Sequence, residues 1–231
     1  MKKNKNLYSV ADKNYFKPNT KEYFKIIYKS LKTKKKNSLL DIGCASGDFL
    51  KLFEKVNFKL YGVDFSRKLI SLAKKKVREG NFKIANIEKK IPFTNKFDIC
   101  TCLGVLSIFD NPLKILNKII SVTKNKGQII IFNNINEHGL NILTKYQNYN
   151  SVDKRWYSAF NSFSKKYWVE NILINTRVKK LSFKKFEMPF GIKKNIRKPL
   201  RAWTYKNEGR NQVTVGTEQI LNFYIITIVL K

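Results

Sequence analysis

The sequence predicts an α/β protein of the Rossmann-like, doubly wound class, with a mostly parallel seven-stranded sheet and helices on both faces. Between residues 38 and 133, short apolar segments alternate with amphipathic segments. When the helical segments run to about 10–15 residues, this pattern is typical of parallel strands joined by right-handed crossovers. The last residues, 219–231, alternate and are rich in β-branched and aromatic side chains, which favours a closing strand.

The elements follow one another in a regular order. Residues 1–36 are polar and Lys-rich, and we expect them to form a helical cap with one amphipathic helix over 20–31. The predicted elements that come next are a strand at 38–43, a helix at 47–56, a strand at 59–64, a helix at 67–79, strands at 81–86 and 97–103, a helix at 111–124 and a strand at 126–133. We expect residues 37–231 to form one domain.

The pattern changes after the fifth strand. Residues 134–177 are aromatic and polar, and they predict a helical insertion without strands. Residues 178–188 and 219–231 then predict a pair of strands that closes the sheet.

The charge of the chain is strongly positive, with 47 Lys and Arg against 16 Asp and Glu, a net +31. Such a surplus normally suggests a nucleic acid or an anionic membrane surface as partner. Only seven of these residues are Arg, and the abundance of Lys, Asn and Ile is what an AT-rich coding sequence produces. Since sites that bind phosphate or guanine bidentately prefer Arg, a nucleic-acid partner is possible but not favoured.

The composition also bears on location and metals. No apolar run reaches the roughly 18 residues of a membrane span, and the first residues lack the apolar core of a signal peptide. The three cysteines, Cys44, Cys100 and Cys102, are therefore expected to be reduced thiols in the cytoplasm, the last two on one face of a strand. With a single histidine, His138, no metal site is expected.

The segment between the first predicted strand and helix carries the strongest functional signal. Gly43 and Gly47 would let the backbone turn sharply and approach a ligand closely. Asp41 ends an otherwise apolar strand, where a buried carboxylate needs a partner. Asp64 follows Asp41 by 23 positions at the end of the second strand, where an acid accepts both hydroxyls of a ribose.

The third strand adds a signal at the same edge of the sheet, because Asn86 and Ile87 are placed to read an adenine edge. A nicotinamide dinucleotide would call for the pattern G-x-G-x-x-G, which G-C-A-S-G does not match. Asp41 and Asp48 would also repel a pyrophosphate. A cationic ligand without phosphate fits better, and S-adenosylmethionine is such a ligand.

At these residues the sequence resembles the class I S-adenosylmethionine-dependent methyltransferases. The segments that carry the resemblance are LLDIGCASGDF, LYGVD, NIEKKIPF and FDICTCLGVLSIFDNP. The family usually has another glycine where Ala45 stands. The resemblance implies that the following residues bind the cofactor: Asp41, Gly43 and Gly47 at the methionine moiety, Asp64 at the ribose, Asn86 and Ile87 at the adenine, Leu103 and Gly104 near the transferred methyl, and in addition Cys44 and Phe65.

The C-terminal part resembles a narrower subgroup, the methyltransferases encoded beside glycosyltransferases in bacterial capsule and lipopolysaccharide clusters. The segments concerned are 154–168 and 197–228. This resemblance implies a small-molecule acceptor, a sugar or glycan precursor, with the insertion on the acceptor side. The aromatic residues that would form walls against the sugar are Trp156, Phe160, Phe163 and Trp203.

Methylation of a sugar hydroxyl requires a general base within hydrogen-bond reach. His138 follows the fifth strand on the ligand side and is the candidate, with Glu137 as a weaker one. Two other functions remain open: an RNA or protein methyltransferase on the same fold, and a non-catalytic partner subunit that keeps the fold. The oligomeric state does not follow from the sequence.

Overall fold

The computed structural model describes residues 22–31, 38–149, 152, 154–196 and 199–231. The elements in chain order are α1 (Glu22–Leu31), β1 (Ser38–Ile42), α2 (Asp48–Lys51), β2 (Lys59–Asp64), α3 (Arg67–Lys76), β3 (Asn81–Ile84), β4 (Phe97–Leu103), a 3-10 turn (Leu106–Ile108), α4 (Pro112–Val122), β5 (Thr123–Asn136), β6 (Lys145–Gln147), β7 (Trp156–Ser158), β8 (Phe163–Ser164), α5 (Lys165–Leu173), β9 (Val178–Phe186), β10 (Trp203–Asn207), β11 (Arg210–Thr214), β12 (Ile220–Leu221) and β13 (Phe223–Leu230).

The central sheet has seven strands in the order β3-β2-β1-β4-β5-β13-β9, with the short β8 added beside β5. The first five strands pair in parallel, and β13 runs antiparallel between β5 and β9. The chain reverses its winding direction between β1 and β4, and ligands of such sheets bind at that point. The predicted fold class and the closing strand pair are confirmed.

Burial on both faces explains why the central strands are almost continuously apolar. Every residue of β1 is buried, as expected for a parallel strand covered by helices. Cys100 and Cys102 are fully buried in the same hydrophobic cluster, which confirms their shared face on β4. Burial raises the pKa of the Cys100 thiol to about 12, so this residue serves as a small apolar core side chain.

Helix α1 packs against α2 and, through Tyr23, against β5. Ile27 and Leu31 are buried in the same hydrophobic cluster as Phe49 from α2. The Tyr23 ring stacks on Phe132 of β5, with ring centroids 3.8 Å apart. The amphipathic helix expected at 20–31 is thus present over 22–31, and the remainder of the proposed 1–36 cap lies outside the described residues.

Two sequence expectations about local structure were wrong, and one sheet was missed. The helix expected at 47–56 ends at Lys51, because the following turns bring Phe53 against Phe49 and Phe58, with centroids 5.2 and 5.4 Å away. The insertion at 134–177 contains the antiparallel pair β6–β7 and the strand β8 besides the helix α5, so it is only partly helical. A separate sheet, β10-β11-β12, precedes the last strand and was not predicted.

No described helix is long and apolar enough to cross a membrane.

The end of α4 depends on Arg177, whose guanidinium donates to the carbonyls of Ile120 (2.6 Å) and Thr123 (2.8 Å). Ile120 lies in the last turn of α4, where its carbonyl also accepts the N–H of the C-cap residue Thr123, so Arg177 adds side-chain donors to this helix end. We predict that Arg177→Met lowers the free energy of unfolding by about 1–3 kcal/mol, since charged hydrogen bonds are lost while the aliphatic stem is kept. Urea unfolding measures this effect.

Arg210→Met is the matched control. Arg210 is exposed and forms an ion pair with the exposed Glu187, at 3.7 Å, so its loss should cost well under about 1 kcal/mol. Equal losses of stability in the two variants would contradict the role given to Arg177.

Candidate functional site

The loop after β1 is held close to the neighbouring strands. The N–H groups of Gly43 and Cys44 both donate to the carbonyl of Val63, at 2.8 and 3.1 Å. Gly43 has a φ of +73°, and a Cβ atom there would lie 2.5 Å from a methyl group of Val105. Only glycine fits both the backbone conformation and the space. Asp41 is buried at the end of β1 and accepts a 2.7 Å hydrogen bond from the Thr101 hydroxyl.

Asp64 connects this loop to the end of β2. Its carboxylate accepts the N–H of Ala45 at 3.1 Å and the N–H of Ser66 at 2.8 Å, one on each oxygen. Burial raises the pKa of the Asp64 carboxyl, and the backbone donors partly offset this increase. The two oxygens of a carboxylate offer about four acceptor positions, so Asp64 can still accept a hydrogen bond from a ligand.

Ala45 occupies a conformation that glycine adopts more readily. Its φ is +47°, in the left-handed region, which costs a residue with a side chain about 1–2 kcal/mol. This explains why the resembling family usually has glycine at this place. The hydrogen bond to Asp64 helps to hold Ala45 in this conformation.

Two side chains fix the turn after β3: Asn86, which the sequence analysis named, and Lys118, which it did not. Asn86 accepts the N–H of Glu88 with its side-chain oxygen, at 3.1 Å. Lys118 of α4 donates to the carbonyls of Ile87, Glu88 and Lys89, at 3.3 Å for the first and 2.9 Å for the last. Lys118 therefore anchors the turn that carries Asn86 and Ile87. One lysine among many on a helix gives no sequence signal for this role.

The remaining residues expected near the cofactor differ in accessibility. Cys44 is buried beneath the loop, where burial and the nearby carboxylates of Asp41 and Asp64 raise the pKa of its thiol. Its side chain therefore serves packing, and its backbone is what remains for a ligand. Phe65 is 38% exposed, and Leu103 is half-buried at the end of β4.

Gly104 lies between the proposed cofactor crevice, which is formed at the ends of β1, β2 and β3, and an adjoining cavity. Its N–H donates to the carbonyl of Phe132 at 2.8 Å, and a Cβ atom at Gly104 would meet nothing within 4 Å. The cavity has a volume of about 240 Å³ and lies over the ends of β4 and β5. Its aromatic and polar lining residues are Tyr23, Phe132, Phe160, Phe223, Ser107, Asn133, Asn134 and Arg201.

The end of β5 contributes an unsatisfied polar group next to this cavity. The side-chain nitrogen of Asn133 donates to the carbonyl of Asn134 at 3.1 Å. Its Oδ1 atom is buried, and no hydrogen-bond donor within the described residues reaches it. An unsatisfied buried acceptor costs about 1–3 kcal/mol, and a hydroxyl or amine donor arriving here would remove that cost.

Several residues proposed for the acceptor side lie elsewhere. Of the four aromatic residues expected to form sugar-facing walls, only Phe160 lines the cavity. The other three lie apart from it: Trp156 is exposed on β7, Phe163 is in the core against Tyr167 and Trp168, and Trp203 is on β10 beneath Lys194.

The two candidate bases are not among the residues that line the cavity. His138 is exposed in the turn after β5, where its N–H donates to the Asn136 side chain at 2.8 Å. Glu137 forms an ion pair with Lys185 at 2.7 Å and accepts the Tyr224 hydroxyl. Burial raises the pKa of Glu137, but these two partners outweigh it and lower the pKa overall, which weakens Glu137 as a base.

The site as a whole has the chemistry of a nucleoside crevice for a cationic ligand. Two buried acids, Asp41 and Asp64, lie at the ends of adjacent strands, and there is no room for a side chain at Gly43. These hydrogen-bond acceptors fit the hydroxyls of a ribose and the amino group of a sulfonium amino acid, as in S-adenosylmethionine. Such a site in such a fold defines the class of nucleoside-binding α/β enzymes.

The chain belongs to the methyltransferase-domain family, whose model matches residues 33–186. It is 30% identical over 173 residues to the carboxy-S-adenosyl-L-methionine synthase of Campylobacter jejuni serotype O:6, covering 66% of this chain and 72% of that protein.

Solved structures share the fold. A SAM-dependent methyltransferase from Methanosarcina mazei superposes with a TM-score of 0.59 at 16% identity, covering 88% of this chain and 96% of that one. The DhpI–SAH complex superposes with a TM-score of 0.62 at 12% identity, covering 96% and 90%. The chain is thus a methyltransferase that depends on S-adenosylmethionine.

We predict that Asp64→Ala weakens S-adenosylmethionine binding by about 2–3 kcal/mol, because it removes two proposed hydrogen bonds to the ribose and the bond that holds Ala45. Isothermal titration measures the affinity. Because burial raises the pKa of Asp64, the wild-type affinity should also fall on acidification earlier than it would with an ordinary aspartate. The Ala variant should lack this dependence.

Asp98→Ala is the control for this experiment. Asp98 lies near the start of β4, where it accepts the Ser38 hydroxyl and forms an ion pair with Lys124 at 3.1 Å. This is the edge of the sheet opposite the crevice, so cofactor affinity should stay unchanged. An unchanged affinity in Asp64→Ala would remove Asp64 from the site.

Proposed function

We propose that this enzyme methylates a hydroxyl group of a small molecule, a sugar or a glycan precursor, held in the cavity beside Gly104. The observation that carries the proposal is that this cavity adjoins the proposed cofactor crevice at the switch point of the sheet. Its volume of about 240 Å³ suits a small molecule, being close to the roughly 300–1,000 Å³ of typical ligand sites.

The lining supports a ligand with both apolar faces and hydroxyl groups. Phe132, Phe160 and Phe223 offer flat apolar surfaces, and Asn133 and Asn134 offer amide groups. The resemblance of segments 154–168 and 197–228 to methyltransferases of capsule and lipopolysaccharide clusters points the same way. Other hydroxyls of the acceptor would donate to these amides, which leaves the reacting hydroxyl for a general base.

Bound S-adenosylmethionine supplies an activated methyl group on its sulfonium. In our proposal the loop of Gly43 and Gly47 and the carboxylate of Asp41 hold the methionine end, and Asp64 holds the ribose. Further residues complete this site: Asn86 and Ile87 at the adenine, with Cys44, Phe65, Leu103 and Gly104 as walls. Positioning the acceptor in line with the methyl and excluding water supply much of the rate enhancement.

Methyl transfer from S-adenosyl-[methyl-³H]methionine tests the acceptor class. We expect label in free sugars or nucleotide sugars, and much less in total RNA or in proteins of a lysate. The Asp64→Ala variant is the negative control. Label only in RNA or protein would overturn the proposal. Chemical change of S-adenosylmethionine without transfer of its labelled methyl group to any acceptor would also overturn it.

We propose His138 as the general base from its position after β5 at the ligand edge of the sheet; because His138 does not line the cavity, this role requires the reacting hydroxyl to reach the exposed turn that follows Asn136. His138→Gln should then lower kcat on the labelled acceptor by about 10²–10⁴-fold, with cofactor affinity unchanged. Leu140→Ala, an exposed change in the same loop, should leave kcat unchanged. If His138→Gln and Leu140→Ala have the same kcat, His138 is not the base.

A further inference from the structure

A second, more open cavity adjoins the acceptor cavity. It has a volume of about 500 Å³ and is lined by Ile192, Lys193, Lys194, Asn195, Ile196 and Arg201. The two cavities share Ile192 and Arg201, so the Arg201 side chain lies where they meet. A molecule in the apolar cavity that extends toward this opening would reach Arg201 first.

The opening is positively charged without compensation. No acidic side chain lines either cavity, and Arg201 has no carboxylate partner within the described part of the chain. In the sequence, residues 193–201 contain five basic residues and no acidic one. Arg177 and Arg210, by contrast, are engaged with carbonyl groups and with Glu187.

Arg201 is more informative than the nearby lysines, because lysines occur throughout the sequence and arginines are few. Only seven of the 47 basic residues are Arg. A guanidinium presents a planar fork of donors that matches two oxygens of a phosphate or carboxylate. Arg201 is half-buried among Leu200, Ala202 and the apolar lining, where an unpaired guanidinium is stabilised by an anion.

Hydrogen bonds anchor the chain near these cations, at Ile192 and Thr204 and at Pro199. The N–H of Ile192 donates to the Thr204 hydroxyl at 2.7 Å, and the N–H of Thr204 donates to the Ile192 carbonyl at 3.0 Å. The N–H of Gly216 donates to the carbonyl of Pro199 at 2.7 Å. These bonds hold Lys193, Lys194 and Arg201 around one opening.

We propose that Arg201, assisted by Lys193 and Lys194, binds a phosphate or diphosphate group of the acceptor, whose uncharged end occupies the cavity beside Gly104. Three cations around one opening favour a group with more than one negative charge. This inference rests on the proposed function, because it requires a small-molecule acceptor. It narrows that acceptor to a phosphorylated molecule, such as a sugar phosphate or a nucleoside diphosphate sugar.

Titration calorimetry with sodium pyrophosphate tests the proposal on the full-length protein, in the presence of S-adenosylhomocysteine and at about 0.15 M salt to screen nonspecific attraction. We expect one saturable site in the wild type. Arg201→Gln should weaken pyrophosphate binding by about tenfold or more, as expected for the loss of a charged hydrogen-bond donor. Arg210→Gln is the matched control, because Arg210 is exposed and lines neither cavity.

The outcomes separate this proposal from the proposed function. Equal affinity of Arg201→Gln and Arg210→Gln for pyrophosphate would overturn it, since binding would then reflect overall charge. Malonate binding as tightly as pyrophosphate would overturn the phosphate assignment in favour of a carboxylate. Titration of S-adenosylmethionine into the three proteins without S-adenosylhomocysteine should give equal affinities, which also shows that Arg201→Gln is folded. Failure of methyl transfer to any small molecule would instead count against the proposed function.

Discussion

The buried carboxylate of Asp64 is the interaction on which the geometry of the site depends. By accepting one backbone N–H from each of two loops, it fixes the ends of β1 and β2 relative to each other. Its hydrogen bond to the N–H of Ala45 helps to hold that residue in a left-handed conformation. A group that is expensive to bury is thus retained because it organises the loops and still has lone pairs for a ligand.

The site divides along the order of strands in the sheet. The ends of β1, β2 and β3 carry the acids, the glycine loop and the turn held by Lys118. The ends of β4 and β5 open into a cavity whose other walls come from α1 and the small β10-β11-β12 sheet. In the proposed assignment, holding the nucleoside and selecting the acceptor fall to different elements, which meet at Gly104.

The sequence was sufficient for the parallel sheet because its signals are local. The fully buried strand β1 is a nearly continuous apolar run in the sequence. The loop that follows it is indicated by Gly43, Gly47 and the acids that end the first two strands. The acceptor side was predicted poorly because it is made by long-range contacts. Phe160 lines the cavity whereas Phe163 packs in the core, although the two lie three positions apart in one aromatic segment. The β10–β11 hairpin had one signal in the sequence, the pair Glu208-Gly209. In the structure both residues adopt a positive φ.

The small sheet that walls the cavity has a consequence for how specificity changes. Arg201, Val213 and Leu221 belong to one continuous stretch of about twenty residues, far along the chain from every residue assigned to the nucleoside. That stretch is also packed into the core, because Val213, Val215 and Leu221 are buried in the same hydrophobic cluster as Phe132 and Phe186. In the proposed assignment, changes within it would alter the acceptor cavity only if this shared packing were kept, and they would leave the ends of β1, β2 and β3 unaltered. Divergence within the group would then be concentrated there, and design by grafting would begin there.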